Sequence, residues 1–197
     1  MNLETKKKLI DVVALSFISV WLLGFIIFLG MIITNNYTIT YIIAIFLSLA
    51  LFPYYYINRT RKYLNIDLVN YIVYFKRYIF LGIVINLWVN YLWGNVSISE
   101  FATINIKYIT VAVSEEILYR YYIQKILEEK YSIAVATFIQ ICLFSFVLHS
   151  GFSFLDNLII RFPSGIVLTW IFKKTNNLSI PITIHFLYDS VIHIIYL

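Results

Sequence analysis

The chain has 197 residues, of which 61% are hydrophobic and only 13% charged, against roughly 25% charged in soluble domains. That balance, with a mean hydropathy of +0.84, excludes a disordered chain, and a single cysteine, Cys142, excludes a disulfide scaffold. The net charge of +5 does not point to nucleic acid, because the basic residues stand in short clusters between apolar runs, where they act as a topology signal.

A helix crossing about 30 Å of hydrocarbon needs about 20 apolar residues. Runs of that kind fall at 9–33, 37–57, 78–97, 103–126, 133–155, 158–172 and 178–197, the sixth being the shortest. They predict an all-α, polytopic transmembrane bundle of about seven spans. Between the second and third, residues 63–77 are amphipathic and too polar to span, which predicts an interfacial helix. The clusters Lys6–Lys8, Arg59/Arg61/Lys62, Lys76/Arg77, Lys125/Lys130 and Lys173/Lys174 share one side, whereas the opposite connections carry no Lys or Arg. The positive-inside rule then puts the N-terminus in the cytoplasm and the C-terminus outside a cell membrane. The first run is too long for a cleavable signal peptide and lacks a small-residue cleavage pattern. The tyrosines crowd span ends, as an aromatic belt does.

Ionisable residues within spans are costly and mark function. Asp11, Lys107 and Arg161 fall near expected span ends, where long side chains snorkel and an aspartate is hydrated. The fourth run differs: Glu115 and Glu116 stand together near its middle, with Arg120 one turn beyond Glu116 and able to pair with it. Glu115 is left over. An unpaired carboxylate at low dielectric binds its proton more tightly than in water, towards the neutral range in which a general base works. His149 in the fifth run and His185 in the seventh, with Asp189 at i+4, complete the set. At about 1.5 Å per residue, Glu115 lies about 15 Å, His185 about 12 Å and His149 about 20 Å from the cytoplasmic side, close enough in depth to meet. His193, about 80° further round the last helix, reads as structural.

A carboxylate, two imidazoles and an aspartate in an apolar cavity suit water activation: Glu115 takes the proton, His149 orients the water, and His185 with Asp189 stabilises the oxyanion or protonates the leaving group. Glu115, His149 and His185 are equally acceptable zinc ligands with an open fourth position. The sequence has no His-Glu-x-x-His, no Gly-x-Ser-x-Gly and no Gly-x-Gly-Asp, and it lacks the paired interrupted helices of a transporter.

On these residues the chain resembles the CPBP family, the CAAX protease and bacteriocin-processing group of intramembrane proteases also called the Abi family. Glu115-Glu116-x-x-x-Arg120 matches its first motif, His149 has the spacing of its second, and His185-Phe-Leu-Tyr-Asp189 matches its third. The resemblance implies a catalytic core over 100–197 behind N-terminal helices in 1–99, with Glu115 and His149 as the base, Arg120 orienting the glutamates, and His185 with Asp189 on the oxyanion side. It implies hydrolysis of a membrane-associated peptide, lipoprotein or protein. Alternatives within the family are lipoprotein N-acylation and a bacteriocin immunity or partner module. Metal-free glutamate catalysis is favoured over zinc, because no fourth Cys or His ligand is near. The Ile, Asn and Tyr bias points to a low-GC bacterium. Two positions depart from the family pattern: Ser145 stands where the second motif has Phe, between Phe144 and Phe146, and Asp189 replaces the usual Asn. An ionised Asp cannot donate the hydrogen bond that an amide gives an oxyanion.

Overall fold

The computed structural model describes residues 3–60, 74–93 and 96–196. Among them no strand occurs, and the chain forms seven helices: α1 (Leu3–Thr34), α2 (37–60), α3 (Phe75–Trp93), α4 (98–128), α5 (Ile133–Leu148), α6 (Phe154–Thr175) and α7 (Ser179–Tyr196). The bundle is all-α and polytopic, as the apolar runs require. The expected interfacial helix over 63–77 lies largely outside the described residues, which resume at Tyr74 just before α3. By length and composition alone, Leu3–Thr34, Tyr37–Arg59 and Phe154–Thr175 are long and apolar enough to cross a membrane.

Local chemistry sets the helix ends. Asn35 and Asn176 adopt left-handed backbone (φ 49° and 50°) immediately after α1 and α6, a conformation that asparagine tolerates. Asn36, Ser97, Ser132 and Ser153 each cap the following helix by accepting from a backbone N–H, and at α4 Glu100 reaches back to the Ser97 N–H, closing a capping box. Two boundaries differ from expectation. The fifth span ends at Leu148 rather than 155, because His149 leaves the helix (φ −98°, ψ 30°) into the turn that Ser150 and Gly151 permit. The short sixth run gains a turn on its N-terminal side from the Ser153 cap.

Four stretches are π-helical: Phe46–Leu51 in α2, Ile117–Ile123 in α4, Leu143–Leu148 in α5 and Asn157–Arg161 in α6. The wider turn rotates the side chains that follow it, and such turns gather at functional sites. Here one follows Glu116 directly, one ends at His149 and one ends at Arg161.

One buried cluster mixes Val12 and Leu15 of α1, Ile45 and Leu49 of α2, Leu118, Tyr119 and Ile123 of α4, Phe144 of α5 and Phe186 of α7, so the N-terminal and C-terminal helices share a core. α7 lies between α3 and α4. Gly82 permits that approach, since a Cβ there would stand 2.9 Å from Phe186 Cε1. Buried Asn86 of α3 donates to Asn105 Oδ1 of α4 (3.0 Å) and to Ser190 Oγ of α7 (2.8 Å), polar links of the kind that hold helices together in lipid. The outward surface carries Trp21, Trp88 and Trp170, all more than half exposed, as a lipid-facing surface does.

Candidate active site

The carboxylate pair sits at the end of the regular part of α4. Glu116 and Arg120 are both fully buried, with Arg120 Nε 3.2 Å from Glu116 Oε2, the i,i+4 pairing that the spacing predicts. The other Glu116 oxygen receives His185 Nδ1–H from α7 at 2.8 Å. A single carboxylate therefore neutralises the arginine and fixes the ring orientation of His185, turning His185 Nε2 towards Glu115 Oε2 (3.8 Å) and Asp189 Oδ2 (3.5 Å).

His149 arrives from the opposite wall. Its Nδ1–H donates to the Phe144 carbonyl (2.9 Å), which leaves Nε2 facing Glu115 Oε2 at 4.0 Å, while its own carbonyl accepts from Asn157 Nδ2 (2.9 Å). All six predicted site residues, Glu115, Glu116, Arg120, His149, His185 and Asp189, are thus in one cluster built by α4, α5 and α7. Glu115 Oε2 is buried and has no hydrogen-bond partner among the described residues. It stands 3.8 Å from His185 Nε2 and 4.0 Å from His149 Nε2, beyond direct hydrogen-bond distance.

Phe144 is the residue that sequence reasoning passed over. Its ring lies 4.0 Å from Arg120 Cζ, 4.9 Å from the His149 ring and 5.5 Å from Tyr119, so it packs against most of the cluster. The Ser145 departure has its physical reason here. A π-turn closes i→i+5 rather than i→i+4, so the residue five before His149 occupies the place that a residue four before it would take in a regular helix. The pair of phenylalanines around Ser145 was the available signal.

Glu115, His149, His185 and Asp189 line a cavity of about 710 Å³. Its wall includes Tyr37 and Tyr41 of α2, Lys107 and Tyr108 of α4, Phe152, Arg161 and Ser164 around the start of α6, and Tyr188 and His193 of α7. Lys107 and Arg161, expected to snorkel at span ends, instead face this cavity. His193 also borders it, with Nδ1 3.2 Å from the Tyr108 hydroxyl.

Three motifs on three helices, joined at one carboxylate pair, coincide with the comparison to known families. Residues 97–191 match the model of the type II CAAX prenyl endopeptidase Rce1-like family. Over this segment the chain is similar to the type II CAAX prenyl endopeptidases. No curated protein and no solved structure matches the chain. The several apolar helices are those of a multi-pass membrane protein, with a bilayer as its surroundings.

A zinc ion held by Glu115, His149 and His185 would bring its ligand atoms to about 3.3–3.6 Å from one another, given bonds of about 2.0–2.2 Å in a tetrahedron. The observed 3.8 and 4.0 Å are wider, and among the described residues no group of three His, Cys, Asp or Glu is arranged to hold a metal. The cluster does not fit zinc as it stands.

Proposed function

We propose that the chain is a metal-free, glutamate-dependent intramembrane endopeptidase. The observation that supports this most is the buried, unpartnered oxygen of Glu115, facing the Nε2 atoms of His149 and His185 at the wall of the cavity. A water between Glu115 and His149 donates one hydrogen bond to each: Glu115 Oε2 is the proton acceptor, and His149 Nε2 orients the water because its other nitrogen is committed to the Phe144 carbonyl. The water oxygen adds to the scissile carbonyl and its proton passes to Glu115. His185, its Nδ1–H committed to Glu116, acts as the imidazolium and presents Nε2–H to the developing oxyanion, and Asp189 steadies that nitrogen from the other side. Collapse of the tetrahedral adduct breaks the C–N bond, and the proton taken by Glu115 goes to the leaving amine. Asp189 therefore acts through His185, a role that does not require the amide donor of an Asn. Arg120 orients Glu116 and supplies its counter-charge.

In this reading residues 100–197 carry the chemistry and 1–99 the surrounding wall. The basic ends of the helices meet at one end of the bundle, where Lys8 pairs with Glu129 and Lys173 with Glu128, which supports a cytoplasmic N-terminus. The cavity residues from Tyr37, Phe152 and His193 belong to the other end, so the substrate enters from the outer leaflet. The substrate is a membrane peptide or lipoprotein. Mass spectrometry of membrane peptides and lipoproteins from cells carrying wild-type protein or equally expressed Glu115→Ala tests this. New substrate termini that need Glu115 are expected; an intact substrate with a Glu115-dependent acyl mass shift would mean acyl transfer instead.

A further inference from the structure

One amide ties α3 to both helices that carry the carboxylate pair and His185. Asn86 is fully buried, and its Nδ2 donates to two different helices, to Asn105 Oδ1 of α4 at 3.0 Å and to Ser190 Oγ of α7 at 2.8 Å. The partners fix these directions. A carbonyl oxygen such as Asn105 Oδ1 can only accept, and the Ser190 hydroxyl places its own hydrogen on the Phe186 carbonyl at 2.6 Å, so it too meets Asn86 as an acceptor. Serving both takes a group with two N–H bonds, which neither a leucine nor an ionised aspartate has. The grip on α7 extends one turn further. Gly82, four residues before Asn86, lies against the ring of Phe186, four residues before Ser190.

The face of α7 held in this way adjoins the face that carries the site. Phe186 and Ser190 directly follow His185 and Asp189, and successive residues of a helix are about 100° apart. A side-chain nitrogen about 6 Å from the helix axis moves about 1 Å for every 10° of rotation. His185 Nδ1 stands 2.8 Å from Glu116 Oε1, so a turn of that size carries it past the roughly 3.2 Å limit of a good N–H···O bond.

We propose that Asn86 is a positioning residue for His185 and Asp189: its amide, through Ser190 and Asn105, fixes the rotation of α7 against α4. Asn86 lies outside the segment 97–191 that matches the family model, so the N-terminal half sets the geometry of the site as well as walling it. The effect on cleavage rests on the peptidase reading, whereas the placement of His185 is read without it.

The chain has three histidines, so labelling them with 15N reports three rings, assigned by His149→Gln and His185→Gln. Solid-state NMR in lipid vesicles compares wild type with Asn86→Leu and with Gln140→Leu. The second variant removes a buried link of the same kind between α5 and α6, in which Thr169 Oγ1 donates to Gln140 Oε1 at 2.9 Å. Asn86→Leu is expected to shift the His185 Nδ1 signal while leaving those of His149 in place, and Gln140→Leu to leave His185 unshifted. Ser190→Ala, which keeps the link to Asn105, gives the same shift at reduced size and adds nothing on top of Asn86→Leu; it carries the test alone if Asn86→Leu does not fold. An unshifted His185 in the α3 or α7 variants, or an equal shift in Gln140→Leu, overturns the proposal. On a peptide whose cleavage depends on Glu115, Asn86→Leu lowers kcat at least about tenfold with KM changed less than about twofold, since misplacement by 1 Å can cost about a hundredfold. A fall confined to KM also overturns it. Absence of any cleavage by wild type counts against the peptidase reading, and the NMR comparison then decides the positioning by itself.

Discussion

Replacing Glu116 by alanine removes the carboxylate that pairs with Arg120 and accepts the hydrogen bond of His185. Both members of the ion pair have side-chain exposures of 0%, and Arg120 Nη1 and Nη2 have no hydrogen-bond partner among the described residues, so the variant leaves a buried guanidinium against the Phe144 ring without its ion-pair partner. Breaking a buried pair from one side costs about 3–5 kcal/mol. In a chain of this size that corresponds to a fall in Tm of roughly 6–20 °C. The companion variant is the double substitution Glu116→Ala with Arg120→Met, which removes the orphaned charge and keeps an apolar contact to Phe144. It is expected to regain at least half of the lost stability and none of the activity, because the hydrogen bond that orients His185 is still missing. Thermal unfolding in detergent, followed by tryptophan fluorescence, measures the first effect and peptide cleavage the second. A Glu116→Ala protein that melts within about 2 °C of wild type, or a double variant no more stable than the single one, would refute the ion-pair account.

Phe144→Ala is expected to cost about 3–5 kcal/mol and to lower activity, whereas Phe146→Ala, at a partly exposed position, costs less; equal losses in the two variants would contradict the π-turn register. Gly82→Ala is expected to lower Tm, through overpacking of about 1–3 kcal/mol, because the added methyl meets the fully buried Phe186 ring beside His185; an unchanged Tm would show that α3 moves away freely.

Much of the fold was legible because membrane helices announce themselves by length and hydropathy, and the seven runs correspond to α1–α7. The candidate set was legible for a related reason: a charge in a lipid-embedded helix is costly, so Glu115, Glu116 and Arg120 stood out against an apolar background. Their meeting with His149 and His185 followed from depth along the helix. What the sequence concealed was rotation. The π-turns at 117–123 and 143–148 change which faces point inward, and that made Phe144 rather than the residue four before His149 the aromatic wall of the cluster. Lys107 and Arg161 were misplaced for the same kind of reason, since distance from a span end does not tell a lipid-facing cation from one that borders a cavity.

The central claim is that Glu115, His149 and His185 act as one water-activating unit. Its most direct measurement is the cleavage rate of a peptide identified from cells, using protein in vesicles carrying Glu115→Gln, His149→Ala or His185→Ala singly and all three together. Groups that work as a unit are non-additive, so each single variant should fall to within about tenfold of the triple variant. Retention of wild-type cleavage by Glu115→Gln, or losses that multiply independently across the three positions, would contradict the account.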